Sequence, residues 1–275
     1  MAAAEGTPSA TITTRALLNG TDRHLRCAVT PLHDGDGATR GLILLAEDET
    51  ARVLAEQARE REEAARRSIR DLFGRFVAES VVEQLVSDPK RAKLGGVRRE
   101  VTIVFADIRG YTSLSEQNTP EVLVEILGRY LTVAADSIME HNGTLDKFMG
   151  DGVMAIFNAP FDQQDHALAA VRAALLMQRH ALDQTDGVTF GVGVNTGEAL
   201  VGNFGTERFR NYSCVGDAVN VTARLQAYAQ GGEVLITDTT LAQVAEHVVV
   251  EELGPIDVKG RLTPVQTYRL LAIKD

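Results

Sequence analysis

Two stretches decide the fold of this chain, VTIVFADIRGYTSLSE at residues 101–116 and TLDKFMGDGVMAIF at residues 144–157. The first begins as an apolar strand over 101–106 and passes into a turn that contains glycine. The second predicts strands at 144–149 and 153–157, because the Asp-Gly sequence between apolar runs is a strong hairpin signal. Together the stretches supply three strands that one antiparallel sheet can use.

The rest of residues 100–275 alternates between helix and strand signals. Thr119 caps a helix that has Pro120 at its first position and an apolar stripe that continues to Ile138. Further predicted elements are helices at 163–183, 217–229 and 238–246, and strands at 188–195, 198–204, 233–236, 247–252 and 265–271. We predict an α+β fold with a ferredoxin-like βαββαβ core, an antiparallel sheet and flanking helices.

Residues 1–50 contain strand signals at 11–18, 24–31 and 41–47, followed by the triplet Asp48-Glu49-Thr50. These features resemble the last strands of a PAS sensor domain and the start of its outgoing helix. The resemblance implies that the chain contains part of an upstream sensor domain. The alternative is a small β extension without a ligand.

Residues 51–99 are predicted to form a helix up to residue 87 and then a basic linker. Small, apolar or acidic residues recur at spacings of four and three, at Ala51, Ala55, Ala58, Glu62, Ala65, Ile69, Leu72 and Phe76. Such a heptad seam favours a coiled-coil-like dimer helix that passes a signal to the next domain. The alternative is a solvated single helix with charge pairs four residues apart.

The composition narrows the classes of function. The net charge of −10 argues against a general nucleic-acid surface, which is usually basic. The two cysteines, Cys27 and Cys214, lie far apart in the sequence, which excludes a disulfide framework and a zinc site of the usual spacing. No apolar run approaches the roughly 20 residues of a membrane span, and no signal peptide is evident. We therefore expect a soluble, cytoplasmic protein.

Two aspartates are the first candidates for chemistry. Asp107 ends the first strand of the core, and Asp151 lies in the hairpin turn. In a ferredoxin-like arrangement that strand lies beside the hairpin, so the carboxylates can converge, and they would repel unless a divalent cation joined them. Each aspartate taken alone would be an ordinary turn residue.

The runs VTIVFADIRGYTSLSE, LDKFMGDGVMAIF and YSCVGDAVNVTARL resemble, in order and spacing, the signature segments of class III adenylyl and guanylyl cyclases. A fourth segment, VKGR at 258–261, falls where that family has a phosphate-binding lysine. The resemblance extends over about 170 residues, and it implies two Mg²⁺ or Mn²⁺ ions per active site. The metal ligands would be Asp107, Asp151 and the Ile108 carbonyl.

The resemblance also implies contacts with the rest of the nucleotide. The backbone N–H groups around Gly110, Tyr111 and Thr112 would hold phosphate oxygens at a helix start. Asn220 would position the ribose, and Arg224 would face the α-phosphate. The β- and γ-phosphates would be met by Lys259 and by Arg208, with Arg210 as the alternative.

The choice of base depends on two positions. Lys147 stands where adenylyl cyclases have lysine and guanylyl cyclases have glutamate. Ser213 stands where adenylyl cyclases have aspartate or threonine and guanylyl cyclases have cysteine. Its hydroxyl can accept from the adenine amino group but can also donate. Because a lysine donor suits adenine N1, we predict that ATP is the substrate. Ser213 is nearest to the threonine subgroup, whose cyclases are described as bicarbonate-responsive, so bicarbonate is a candidate stimulant.

In this family each active site lies between two subunits, so the resemblance implies a homodimer with two interfacial sites that make cyclic AMP and pyrophosphate. One alternative is a guanylate or mixed-specificity cyclase. Another is a catalytically weak nucleotide-binding signalling module, although no signature residue is lost. A diguanylate cyclase is disfavoured because the turn reads GDG rather than GGDEF. The run GVGVNTG at 191–197 lacks the third glycine of a dinucleotide fingerprint and indicates close strand packing.

Overall fold

A computed structural model describes residues 10–73, 79–87, 93–184, 187–258, 261 and 263–274 of the chain. The chain divides into two compact units, residues 1–73 and 74–275. The first unit has one antiparallel sheet in which β1 (Ala10–Leu18), β2 (Thr21–His33) and β3 (Thr39–Asp48) are neighbours in that order. The helix α1 (Thr50–Phe73) follows β3.

The predicted triplet at the start of α1 joins the helix to the sheet. The Asp48 carboxylate accepts a hydrogen bond from the Thr50 backbone N–H at 3.0 Å. In turn, the Thr50 hydroxyl oxygen accepts from the His24 backbone N–H on β2 at 2.8 Å. The first bond satisfies the N–H at the start of the helix, as a capping residue would, and the second ties the helix start to β2.

The helix predicted for residues 51–87 is described as α1 and a short second helix, α2 (Glu79–Ser87). Residues 74–78, which include part of the predicted heptad seam, lie outside the described residues, as do residues 88–92 of the linker. A coiled coil needs a second chain, so that interpretation remains a prediction.

The second unit contains an eight-stranded sheet and five further helices among its described residues. Its elements after α2 are β4 (Gly95–Ile108), α3 (Tyr111–Gln117), α4 (Pro120–Glu140), β5 (Thr144–Met149), β6 (Gly152–Phe157), α5 (His166–Leu182), β7 (Phe190–Gly205), β8 (Arg210–Val215), α6 (Asp217–Tyr228), β9 (Val234–Thr237), α7 (Asp238–Val244), β10 (Val248–Ile256) and β11 (Val265–Ile273). The strand order is β10-β11-β9-β7-β4-β6-β5, and β8 pairs with β7.

The predicted ferredoxin-like α+β fold is confirmed. The strands β5, β6, β4 and β7 are neighbours in this order and are antiparallel to one another. The helices α4 and α5 provide the two crossovers of the βαββαβ unit. Only the pairing of β7 with β9 is parallel among the described pairs of this sheet.

Two strand predictions were wrong in extent. The sequence predicts a basic linker up to residue 99 and two separate strands at 188–195 and 198–204. In the structure β4 begins at Gly95 and β7 is continuous, because the two strands pair without interruption from Gly95 opposite Asn203 to Ile108 opposite Phe190. This pairing is long-range, so neither sequence segment reveals it by itself.

The buried run at 101–106 is explained by a sheet that is covered on both faces. Val104 and Ala106 pack into a cluster with residues of α4 and α5, whereas Ile103 and Phe105 pack with residues of β7, β8 and α6. Successive side chains of a strand point to opposite faces, so a strand between two cores is apolar throughout.

Candidate active site

The first group of predicted site residues, the metal half, is formed by Asp107 and Asp151. Asp107 lies near the end of β4, directly opposite Gly152 in the pairing of β4 with β6. Asp151 lies in the two-residue turn between β5 and β6. Its backbone carbonyl accepts from the Ile108 N–H at 3.2 Å, which holds the turn against the end of β4. The predicted convergence of the aspartates follows from this pairing.

The hairpin turn differs in detail from the sequence expectation. The sequence predicts the turn from the Asp-Gly pair, but Gly150 is the residue with a left-handed φ, of 68°. Gly152 instead belongs to β6, where an added Cβ would stand 3.1 Å from Asp107 Oδ1. The first glycine therefore makes the turn, and the second leaves room beside the metal-half carboxylate.

The electrostatics of the metal half fit a divalent cation. Burial raises the pKa of Asp107, and the nearby charge of Asp151 raises that pKa further. Two facing carboxylates of this kind repel each other, and a bound cation would relieve the repulsion. Among the described residues, no group of three or more His, Cys, Asp or Glu side chains is arranged to hold a metal ion. Further oxygen ligands would therefore come from the Ile108 carbonyl and from substrate.

Arg109 belongs to the metal half, although the sequence analysis did not identify it. Its guanidinium lies 3.3 Å from Asp107 Oδ2 and lowers the pKa of that carboxyl. It also donates to the backbone carbonyls of Gln226 and Ala229 at the end of α6. An added Cβ at Gly191 would lie 2.2 Å from Arg109 Nε, so this glycine provides the path for the side chain. The sequence signal that could have identified Arg109 is its place in the DIRG run at 107–110, two residues after Asp107.

The turn after Ile108 leads directly into α3. Gly110 has a left-handed φ of 79° and precedes the first helical residue, Tyr111. No side chain caps this helix start, and Thr112 is exposed. The first N–H groups of a helix have no intrahelical acceptor, so they are available to an anion such as a phosphate oxygen.

A second group, the base half, brings together Lys147 of β5 and Ser213 of β8. The Lys147 ammonium donates to Ser213 Oγ at 3.4 Å. Asp146, which the sequence analysis did not identify, completes the group by accepting a hydrogen bond from the Ser213 hydroxyl. The sequence signal that could have identified Asp146 is a carboxylate inside a strand whose other residues are mostly apolar. Burial raises the pKa of Asp146, whereas Ser213 and Lys147 lower it.

Cys214, the residue next to Ser213, shows that this region is enclosed. Cys214 is buried, and burial together with the charge of Asp146 raises the pKa of its thiol to about 12. At neutral pH the side chain is therefore a thiol rather than a reactive thiolate. Cys214 packs with Val201 and Ala218 and serves as a core residue behind the base half.

Asn220 and Arg224 lie on one exposed face of α6, as their four-residue spacing predicted. Within the described part of the chain, neither side chain has a hydrogen-bond or ion-pair partner. The opposite face of the helix is anchored by Val221 and Leu225. Gly193 of β7 allows the helix to approach closely, because an added Cβ would stand 2.5 Å from the Gln226 nitrogen.

The remaining predicted phosphate ligands are not brought to the site by any contact that is described. Arg208 is exposed in the loop between β7 and β8. Arg210 donates to the Glu207 carbonyl at 3.3 Å in the same loop. Lys259 lies outside the described residues. Asp107, Lys147 and Asn220 thus belong to three separate groups, with no direct contact between them in the described structure.

Comparison with known proteins gives a family match for each of two parts of the chain. The model of the adenylate and guanylate cyclase catalytic domain family matches residues 97–272, and a PAS fold model matches residues 1–54. Adenylate cyclase 1 of Rhizobium meliloti is 30% identical over 211 residues, which are 73% of this chain and 32% of that protein. This chain thus spans about a third of the length of that relative.

Two solved structures share the catalytic fold. The adenylyl cyclase CyaB from P. aeruginosa is 35% identical, with a TM-score of 0.61 over 65% of this chain and 97% of that one. The guanylyl cyclase Cya2 is 40% identical, with a TM-score of 0.63 over 66% of this chain and 96% of that one. Both nucleotide specificities therefore occur among similar proteins. In the described residues no helix is both long and apolar enough to cross a membrane.

Proposed function

We propose that this chain, which belongs to the adenylate and guanylate cyclase catalytic domain family, is an adenylate cyclase that forms 3′,5′-cyclic AMP and pyrophosphate from ATP. The observation that carries the choice of ATP is the contact between the Lys147 ammonium and Ser213 Oγ. This pair offers a donor beside an oxygen acceptor, and the adenine edge presents an acceptor at N1 beside an amino donor. A guanylyl cyclase would need the reverse arrangement.

The metal half supplies the centre of the reaction. Two Mg²⁺ or Mn²⁺ ions held by Asp107, Asp151 and the Ile108 carbonyl would activate the ribose 3′-hydroxyl and neutralise the triphosphate. The 3′-oxygen attacks the α-phosphorus, the bond to the bridging oxygen breaks, and pyrophosphate leaves. Arg109 holds the Asp107 carboxylate in place through its ion pair.

The chain's other groups bind and orient the nucleotide. The N–H groups at the start of α3, from Gly110 to Thr112, hold phosphate oxygens. Asn220 orients the ribose, and Arg224 stabilises the charge that develops at the α-phosphate. Lys259 and Arg208 meet the β- and γ-phosphates.

We assign each active site to the interface of a homodimer, with the metal half from one subunit and the base half and α6 face from the other. Asn220 and Arg224 support this arrangement, because neither has a side-chain partner among the residues that the structure describes. Apolar side chains that neighbour the base half in the sequence are also exposed, since Phe148 is 48% exposed, Val215 56% and Phe209 78%. A second copy that covered them would remove apolar surface from water.

The upstream regions are proposed to regulate this site. Residues 1–50 would be part of a sensor domain, and the signalling helix and linker would run from residue 51 to the start of β4 at Gly95, where the catalytic sheet begins. Bicarbonate stimulation remains a prediction from the character of Ser213. Addition of bicarbonate to the cyclase assay at fixed pH tests it.

The central experiment is an assay of the purified chain with ATP or GTP and with Mn²⁺ or Mg²⁺. We expect cyclic AMP to form with a higher kcat/KM than cyclic GMP. A preference for GTP would favour the guanylate cyclase alternative, which is also the specificity of the 40% identical Cya2. Nucleotide binding without either product would favour a signalling module.

A further inference from the structure

We propose that Asp146 is a positioning residue for base recognition, which holds the Ser213 hydroxyl proton and thereby makes Ser213 Oγ an acceptor for the adenine 6-amino group. The proposal rests on the proposed function and assigns its specificity to a carboxylate that does not itself touch the base. It removes the ambiguity of a serine hydroxyl, which could otherwise donate as well as accept.

A strand irregularity places Asp146 in this role. Adjacent residues of a regular strand point to opposite faces, so Asp146 and Lys147 would not normally meet the same neighbour. The pairing of β5 with β6 shifts register between Leu145 and Lys147, and such bulges redirect side chains. Both Asp146 and Lys147 consequently contact Ser213.

Asp146 and Lys147 differ in burial, as their proposed roles require. The Asp146 side chain is only 1% exposed, whereas the Lys147 side chain is 43% exposed. Ser213 is also buried. A covered carboxylate can hold a hydroxyl proton without competition from water, and the partly exposed lysine can still reach a ligand.

The hydrogen bonds of the cluster fix the direction of the Ser213 hydroxyl. Its single proton is donated to Asp146 Oδ2, while the Lys147 ammonium lies 3.3 Å from Asp146 Oδ1 and donates to Ser213 Oγ. The hydroxyl oxygen has two lone pairs, and Lys147 occupies one of them. The second lone pair is left for a donor on the base.

This arrangement discriminates between the two purines. The adenine 6-amino group donates to the free lone pair of Ser213, and adenine N1 accepts from Lys147. The guanine O6 would instead meet an oxygen lone pair, and its N1–H would face an ammonium. Mispaired polar groups in an enclosed site are costly, so GTP would bind poorly.

The test is the variant Asp146→Asn, which keeps the shape of the side chain. The Asn amide can donate to Ser213 Oγ, which frees the hydroxyl proton to donate to guanine O6. We expect the ratio of kcat/KM for ATP to that for GTP to fall by about tenfold or more. Asp136→Asn, on an exposed position of α4, is the matched control and should keep the wild-type ratio.

A double-mutant cycle shows whether Asp146 acts through Ser213. In a Ser213→Ala background, Asp146→Asn should no longer change the ATP:GTP ratio. Binding of 3′-deoxy-ATP and 3′-deoxy-GTP, which lack the attacking hydroxyl, is measured by calorimetry with Mn²⁺ and should shift in the same direction. An equal shift with and without the Ser213 hydroxyl would overturn the proposal.

The outcomes separate this proposal from the proposed function. A wild-type preference for GTP would refute the function, whereas a wild-type preference for ATP with an unchanged ratio in folded Asp146→Asn would refute only the inference. If Asp146→Asn does not fold, Ser213→Thr and Ser213→Ala take its place. The threonine variant should keep the ATP preference and the alanine variant should lose it, and equal ratios in the two would overturn the proposal.

Discussion

The metal half and the base half are both organised around a partly or fully buried aspartate, but only the metal half places a second carboxylate beside it. In the metal half, the charge of Asp151 adds to the effect of burial and raises the pKa of Asp107 further, and Arg109 opposes both effects. In the base half, Ser213 and Lys147 oppose burial and lower the pKa of Asp146. The first carboxylate pair is incomplete without a cation, whereas the second cluster satisfies itself before any ligand arrives.

This difference indicates how the halves divide the work. A repulsive carboxylate pair gains most from binding a metal, so the metal half binds its partner through charge. A cluster whose hydrogen bonds are already made has fixed donors and acceptors, so the base half recognises its ligand through hydrogen-bond pattern. Four experiments, ordered from the largest expected effect to the smallest, test this contrast.

The largest effect is expected from loss of a metal-half carboxylate. Asp107→Ala or Asp151→Ala should lower turnover by about a thousandfold or more, because a catalytic metal contributes several kcal/mol to the transition state. Folding should persist, since neither residue is part of a buried cluster. Product formation and circular dichroism measure the two properties. Retained activity with unchanged metal dependence would refute the metal assignment.

The second experiment tests whether the groups of one site come from different subunits. Asp107→Ala and Asn220→Ala homodimers should each be nearly inactive. After subunit exchange of equal amounts, about half of the dimers are mixed and have one intact site of two. Activity should then recover to about a quarter of the wild-type value. No recovery, with mixed dimers verified by differential tags, would place each site within one chain.

The third experiment reverses the hydrogen-bond pattern of the base half. Lys147→Glu combined with Ser213→Cys should reduce the preference for ATP over GTP by about tenfold to a hundredfold, because a mispaired buried polar group costs about 1–3 kcal/mol. The ratio of the kcat/KM values for ATP and GTP measures this preference. Wild-type activity with an unchanged ratio would show that these residues do not read the base.

The smallest effect concerns stability without metal and should differ in sign between the halves. Asp151→Asn removes a neighbour that disfavours the Asp107 charge, so it should raise the free energy of unfolding at neutral pH. Lys147→Met removes a neighbour that favours the Asp146 charge, so it should lower that free energy. Each change should be about 0.5–1 kcal/mol, as expected for partly exposed charge pairs. Urea unfolding in EDTA measures both.

The pH dependence of these changes follows from the same charges. Both aspartates have raised folded-state pKa values, so each takes up a proton as the pH falls through its folded-state pKa. The gain in Asp151→Asn and the loss in Lys147→Met are both present above those pKa values and should disappear below them. Changes of the same sign, or changes that persist at low pH, would contradict the contrast between the halves.

Much of the fold could be predicted because its signals are local. The apolar run at 101–106, the Thr119-Pro120 helix start and the hairpin around Gly150 each depend on a few adjacent residues. The continuous strand β7 could not be predicted in the same way. Its middle is held by pairing with β4, where Asn195 lies opposite Ile103 and Glu198 opposite Glu100.

The sequence by itself determined the order of the elements, the convergence of Asp107 with Asp151 and the shared α6 face of Asn220 and Arg224. Each of these follows from spacing within an element or from the connection of successive strands. Only the tertiary structure decided the neighbours of Asp146 and Arg109, because Asp146 meets a serine 67 residues away and Arg109 meets carbonyls 117 and 120 residues away. Local patterns carry no information about such contacts. The first depends on the bulge in β5, and the second on the space that Gly191 leaves for the Arg109 side chain.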